Sequence, residues 1–179
     1  MSLLLNTPYF YTATIKDWKH LLAPDSFKDI IIGSLKYLVD QQKLSVYGFV
    51  IMPNHLHLIW ELLEENGKEV PNASFMKFTS HEFKKKLKAE QPQKLNKFFV
   101  GLQSRDYNFW QRDPLPIKVY SKWVFEQKLK YIHNNPLQEH WKLCKHPMDY
   151  KYSSASFYET GIDEFGFLTD YRDLYGSEL

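Results

Sequence analysis

Two histidines one residue apart, His55 and His57, carry the clearest chemical signal in the sequence. They follow a Pro-Asn turn that joins two apolar runs within residues 46–60. On an extended strand alternate side chains share a face, so both imidazoles project to one side while Leu56 and Leu58 project to the other. Two neutral imidazoles can ligate a divalent metal, but paired histidines on a strand also occur as hydrogen-bonded or half-exposed residues. Taken alone, the pair leaves both interpretations open.

A second polar cluster lies on a predicted helix that is capped by Ser121 and ended by Pro136. Tyr131 falls off the apolar stripe of this helix and shares a face with Lys128 and Asn135. A tyrosine hydroxyl has an ordinary pKa of about 10, so it needs help to act as a nucleophile. A metal-bound hydroxide or the nearby lysine cation can supply that help. The structural alternative is a tyrosine at the edge of the core and an asparagine that ends the helix.

A row of basic side chains lies on another predicted helix, which begins at Asn72 or Ser74 and runs to about Glu90. Four of its residues recur at helical spacing on one face, and the irregular, aromatic-rich stretch 91–116 that follows contains two arginines. The candidates for nucleic-acid binding are Lys77, His81, Lys84, Lys88, Arg105 and Arg112. Alternating aromatic and basic residues suit a groove that stacks bases and holds phosphates. A charged helix face is more often simply solvated, and dense aromatic residues more often form core.

The elements that must position these groups follow the order strand, helix, two strands, helix, strand and helix. We predict a strand at residues 9–15, a helix capped by Asp25 or Ser26 that ends near Gln42, the histidine hairpin, the basic helix, an edge strand at residues 117–120 and the Tyr131 helix. This order predicts an α+β fold of the ferredoxin-like or RRM-like split βαβ kind, with an antiparallel sheet and helices mainly on one face. The histidine strand is expected to be an inner strand of that sheet.

Length and composition bound the class of protein. The 179 residues fit one domain, and 44% hydrophobic with 17% aromatic residues excludes a disordered chain. Cys144 is the single cysteine, so the sequence holds no disulfide framework. The first residues lack the features of a signal peptide or a membrane span, and we expect a cytoplasmic protein with no membrane partner. A net charge of +2 is too small to argue nucleic-acid binding by itself.

Three blocks of the sequence together resemble a known family. They are residues 46–60, the Lys-Tyr-Ile-His-Asn-Asn-Pro block at 130–136 and the Asp-Tyr-Lys-Tyr-Ser-Ser-Ala block at 149–155. In this order they resemble the HUH single-tyrosine transposases and, within them, the REP-associated tyrosine transposases. The resemblance covers roughly Tyr9 to Tyr158. One departure stands out: many relatives follow a Trp-Gln-Arg motif with Gly-Tyr or Phe-Asp-His, whereas here Arg112 is followed by Asp-Pro-Leu-Pro. The target DNA sequence therefore stays open.

The resemblance implies a role for each matching residue. His55 and His57 would bind a divalent metal, Asn135 would be the third ligand, and Tyr131 would be the nucleophile that cuts single-stranded DNA. Apart from the resemblance, the position of Lys128 one turn earlier on the same face would let it assist Tyr131 electrostatically. Such mixed nitrogen and oxygen ligands suit Mg²⁺ or Mn²⁺ in a cell. The product would be a 5′-phosphotyrosine intermediate and a free 3′ hydroxyl, with hairpin-containing repeat DNA as the expected target. The implied organisation is an HUH domain over residues 1–140 and an aromatic-rich C-terminal extension, residues 141–179, packed on it.

Two other interpretations compete with a transposase-like enzyme. One is a non-catalytic protein with a ferredoxin-like fold that binds single-stranded nucleic acid and needs neither a metal nor Tyr131. The other, a two-histidine phosphoesterase, is disfavoured because no further histidine in the chain stands in a His-x-Ser or His-x-Thr motif. The sequence also leaves open whether the chain works as a monomer or a homodimer.

Overall fold

The computed structural model describes residues 3–103, 105–111 and 116–176. Its strands are β1 (Pro8–Thr14), β2 (Leu44–Ile51), β3 (His55–Leu62), β4 (Phe99–Leu102), β5 (Arg105–Tyr107) and β6 (Ile117–Lys118). Its α-helices are α1 (Asp25–Asp40), α2 (Pro71–Glu90), α3 (Pro92–Leu95), α4 (Lys122–Asn134) and α5 (Ala155–Thr160). Among these residues, no helix is long and apolar enough to cross a lipid bilayer.

The central sheet has the strand order β2-β3-β1-β6, and every neighbouring pair in it is antiparallel. The histidine strand β3 is an inner strand, as predicted, and the short β6 lies at the edge beside β1. A mixed α+β architecture around an antiparallel sheet is therefore confirmed.

Side-chain alternation divides the sheet into two faces. Leu56, Leu58 and Trp60 of β3 join the core beneath α1 and α2. On the other face, Ile59 packs in a second core with α4. The apolar residues of α1 recur at helical spacing and are buried, namely Phe27, Ile31, Leu35 and Leu38. We predicted helices mainly on one face of the sheet, and α1 and α2 do share a face. Helix α4 covers the other face, which is the face of the histidines.

Helix α4 packs closely against Gly48 in β2. A Cβ atom at this position would lie 2.7 Å from Leu129 Cδ1 and 3.2 Å from Ile132 Cδ1. Because non-bonded carbons separate by about 3.5 Å or more, a side chain here would force the ends of these two side chains to move. Gly48 therefore leaves room for the apolar side chains of the Tyr131 helix against the sheet.

Helix starts differ in part from those predicted. Ser121 caps α4, and its hydroxyl accepts from the Val124 amide at 3.3 Å, as expected. The basic helix α2 begins at Pro71 and not after Asn72 or Ser74, because proline suits the first helical position, where an N–H would have no partner within the helix. Likewise α1 begins at Asp25 directly after a proline that occupies the cap position.

The stretch predicted to be irregular contains a hairpin. β4 and β5 pair with each other in a separate two-stranded sheet. Three aromatic residues of this region, Phe98, Phe109 and Trp110, are buried in the core beneath α1 and α2. Tyr152 and Phe167 from the C-terminal part of the chain are buried in the same core. Most of the aromatic residues are thus core residues rather than a stacking surface.

Candidate active site

His57 is held in place by the neighbouring strand β1. It is only 5% exposed and lies directly across from Thr12 in the strand register. The Thr12 hydroxyl oxygen is 2.8 Å from His57 Nδ1, while His57 Nε2 is buried with no hydrogen-bond partner. When Nδ1 donates its proton to the hydroxyl, Nε2 presents an unused lone pair. A metal-ligating histidine has this arrangement.

His55 is fixed in the same tautomer by the turn residue before it. Asn54 Oδ1 lies 2.6 Å from His55 Nδ1, and the Asn54 amide nitrogen donates to the Trp18 carbonyl at 3.3 Å. An amide oxygen only accepts, so Nδ1 carries the proton and Nε2 keeps its lone pair. The two histidine rings are 4.8 Å apart between centroids. The two rings therefore lie close together on one face of the sheet, each with Nδ1 hydrogen-bonded to a neighbouring side chain.

Burial keeps both imidazoles neutral. Desolvation lowers the pKa of His55 to about 4, although a hydrogen bond with Asn135 opposes the shift. Desolvation also lowers the pKa of His57 to about 3, with further lowering from the positive charges of His55 and Lys128. Because only a neutral imidazole can bind a metal, neither ligand has to lose a proton near neutral pH.

Helix α4 brings Tyr131 to the histidine face. The Tyr131 ring is 47% exposed, and its centroid lies 5.3 Å from that of His57. Phe10 of β1 stacks on His57 at 5.3 Å and meets Tyr131 at 6.0 Å, so the three rings form one cluster. Lys128 Nζ lies 5.0 Å from the Phe10 ring centroid. An accessible phenol thus stands beside two neutral imidazoles and one cation.

Asn135 ends α4 next to His55. It is buried, and its side chain lies close enough to His55 to oppose the lowering of the pKa of that imidazole. Two imidazole nitrogens and one amide oxygen are therefore available from His55, His57 and Asn135. Within the described ranges no group of three or more His, Cys, Asp or Glu residues is suited to a metal. The unpaired His57 Nε2 fits a divalent ion with mixed nitrogen and oxygen ligands.

The basic row lies on the opposite side of the sheet. Helix α2 packs with α1, and the Phe83 ring is 5.8 Å from that of Phe27. The structure therefore does not bring the row together with the histidine pair; its members are Lys77, His81, Lys84 and Lys88. Arg105 lies in β5, and Arg112 lies outside the described residues.

The row instead meets the β4–β5 hairpin. Lys84 Nζ lies 4.9 Å from the Tyr107 ring centroid, and Lys77 forms an exposed ion pair with Glu69 at 2.8 Å. A groove of about 520 Å³ separates α2 from the segment after β5, and Lys77, Tyr107 and Trp110 contribute to its lining. Lys77 and two aromatic side chains thus line one groove, on the side of the sheet opposite the Tyr131 site.

Sequence reasoning missed the residues that orient the imidazoles. Thr12 and Phe10 are two positions apart on β1, so the sequence places them on one face but does not tell which strand they adjoin. The sequence assigns Asn54 only to a turn. Pairing β1 with β3 in the observed register is the information that would have found them.

Comparisons with known proteins show the fold. A solved structure of a REP-associated tyrosine transposase bound to a REP hairpin is similar to this chain, with a TM-score of 0.63 and 16% sequence identity. The similarity covers 95% of this chain and 90% of that chain. No protein-family model and no curated protein matches the sequence. The structural likeness therefore extends over most of this chain and shows the fold.

Proposed function

We propose that the chain is a transposase-like endonuclease and strand transferase that acts on single-stranded DNA. The observation that carries this proposal is the meeting of Tyr131 on α4 with His57 on β3, 5.3 Å apart between ring centroids. The fold shared with a REP-associated tyrosine transposase supports it. The strand order β2-β3-β1-β6 fits the ferredoxin-like arrangement of that kind of enzyme.

Tyr131 is the proposed nucleophile. Its oxygen forms a bond to the phosphorus of the scissile phosphate, and the bond from phosphorus to the 3′ oxygen breaks. The phenolic proton is transferred, directly or through water, to the departing 3′ oxygen. The products are a 5′-phosphotyrosine and a free 3′ hydroxyl, which can reverse the reaction without an external energy source. Lys128 would stabilise the negative charge that develops during the attack.

His55, His57 and Asn135 are the proposed holders of a divalent ion, Mg²⁺ or Mn²⁺. When bound, such an ion supplies Lewis-acid stabilisation of the phosphate. With Nδ1 donating to Thr12 in one ring and to Asn54 in the other, both imidazoles would be oriented before an ion binds. Phe10 packs on His57 and excludes water from one side of the ring.

Hairpin DNA with an unpaired flank is the proposed substrate. The structural neighbour is bound to a REP hairpin, and a strand must be unpaired for Tyr131 to reach its phosphate. The row of basic side chains on α2 suits the closely spaced phosphates of a duplex stem. The residues that would hold that stem are His81, Lys84 and Lys88.

A denaturing gel tests the proposal. The protein is incubated with Mn²⁺ and a labelled hairpin that carries a single-stranded flank, and a covalent protein-DNA band is expected. Tyr131→Phe keeps the ring and removes only the hydroxyl, so the band should disappear while DNA binding persists. Binding without any covalent band in the wild type would favour the rival function, a non-catalytic single-strand binding protein.

A further inference from the structure

Trp18 lies exposed beside the candidate metal ligands. Its side chain is 57% exposed, and its ring centroid is 6.1 Å from that of His55 at an interplanar angle of 70°. Asn54 joins the two residues, because its amide nitrogen donates to the Trp18 carbonyl while its oxygen meets His55 Nδ1. A single exposed tryptophan is ordinary by itself. Its fixed position against a candidate ligand gives it functional interest.

The backbone that presents Trp18 adopts a rare conformation. Asp17 and Trp18 both have positive φ angles, 56° and 55°. Bulky residues rarely occupy this region, and strained residues concentrate at functional sites. Two ion pairs brace the turn, since the Asp17 carboxylate lies 2.9 Å from Lys16 Nζ and 2.5 Å from Lys19 Nζ. The turn is therefore built to hold an exposed indole in one place.

The same turn is hydrogen-bonded to the segment that lines the groove beside α2. The Lys16 amide donates to the Phe109 carbonyl at 2.7 Å, and the Gln111 amide donates to the Thr14 carbonyl at 2.7 Å. Gln111 and its neighbour Trp110 also line the groove. The segment that lines the groove is therefore hydrogen-bonded to the backbone on both sides of Ile15, close to the Trp18 turn.

We infer that Trp18 is a stacking platform for one unpaired base of the DNA strand that enters the Tyr131 site. This inference rests on the proposed function. The occupant is a base of DNA rather than an apolar peptide, because the neighbouring groups are the proposed nucleophile Tyr131, the candidate metal ligands and lysines. These groups suit a phosphate backbone. Stacking needs only the flat face of a base, so this contact holds the strand without selecting its sequence.

Trp141 is the other tryptophan beside His55, and it is less suited to this role. Its ring lies 6.0 Å from His55, 5.6 Å from His20 and 5.4 Å from His140. Three ring neighbours occupy much of its surface. Trp18, with its larger exposed area, is the available platform.

Binding of a fluorescent oligonucleotide tests the inference. The probe is a DNA hairpin with a thymidine flank that carries 2-aminopurine at successive positions in turn, and titrations are run in EDTA so that no cleavage occurs. We expect 2-aminopurine at one flank position to be quenched by wild-type protein. Trp18→Ala should abolish that quenching and weaken binding about 5- to 150-fold. Trp18→Phe should retain much of both effects, and Trp18→Leu, which is apolar but not aromatic, should not.

The matched control is Tyr37→Ala. Tyr37 is 58% exposed and lies on α1, away from the histidine face and outside the lining of the groove beside α2, so its removal should leave quenching and affinity unchanged. Equal quenching by wild type and Trp18→Leu would overturn the inference, as would an unchanged affinity of Trp18→Ala. If the wild type forms the covalent band on the gel and the Trp18 variants bind and quench the probe as the wild type does, the platform alone is refuted. Trp18-dependent quenching with no covalent band refutes the proposed enzyme and leaves the platform standing.

Discussion

Replacing Thr12 by valine tests whether the β1 hydroxyl prepares His57 for a metal. Valine has nearly the shape of threonine but cannot hydrogen-bond, so the change removes the 2.8 Å hydrogen bond to His57 Nδ1. Because His57 is only 5% exposed, water has little room to replace the hydroxyl. A buried polar group without a partner costs about 1–3 kcal/mol, and the free energy of unfolding should fall by that amount.

The effect on metal binding should be larger than the effect on stability. Without the hydroxyl, the proton of His57 is no longer held on Nδ1, and a proton on Nε2 blocks the lone pair that faces the metal. Loss of such an orienting partner typically weakens metal binding about 10- to 100-fold. We expect the Mn²⁺ affinity of Thr12→Val to fall within this range, and the cleavage rate at limiting Mn²⁺ to fall with it.

Isothermal titration with Mn²⁺ measures the affinity, and urea unfolding of the metal-free protein measures stability. Thr12→Ser keeps the hydroxyl and serves as the matched control, so it should bind Mn²⁺ nearly as the wild type does. Thr12→Val with wild-type Mn²⁺ affinity would refute the reasoning, since the hydroxyl would then have no part in presenting His57 Nε2.

Three further predictions concern pH, the third ligand and the basic row. Burial lowers the pKa of His133 to about 4, so as pH falls below about 6.5 the unfolded chain gains a proton that the folded chain does not, and stability is lost down to about pH 4. Between neutral pH and pH 5, the free energy of unfolding measured in urea should fall by about 2 kcal/mol less in His133→Gln than in the wild type. An equal fall in both proteins would exclude His133 as a source of acid sensitivity. Asn135→Ala should weaken Mn²⁺ binding, and excess Mn²⁺ should restore cleavage; a failure of rescue despite intact folding would remove Asn135 as a ligand. Lys84→Ala with Lys88→Ala should flatten the slope of log affinity for hairpin DNA against log salt by about 0.9 for each stem phosphate that is no longer bound, and an unchanged slope would show the row to be a solvated face.

The placement of the two histidines and of Tyr131 was predictable because each depends on local periodicity. Strand alternation places His55 and His57 on one face, and Tyr131 falls off the apolar stripe of its helix whatever the rest of the fold does. The inner position of β3 also followed from the apolar run before it. Short-range geometry was enough for these features.

Features that depend on partners distant in sequence were not predictable. Thr12 orients His57 across a strand pair separated by 45 residues, and nothing local specifies that register. The placement of α2 on the face opposite α4 likewise depends on how the crossovers run, so the lysine row could not be located relative to Tyr131 from spacing alone. The β4–β5 hairpin was missed because its aromatic residues serve mainly the core and obscure the alternation of the strands.

Mapping the site of DNA attachment tests the central claim most directly. Protein trapped with Mn²⁺ and a hairpin with a single-stranded flank is digested with protease and nuclease, and the modified peptide is identified by mass spectrometry. We predict a nucleotide linked through its 5′ phosphate to Tyr131, and no such adduct in His57→Ala. Attachment to any other residue, or cleavage that leaves no protein-linked nucleotide, would contradict the assignment of Tyr131 as the nucleophile.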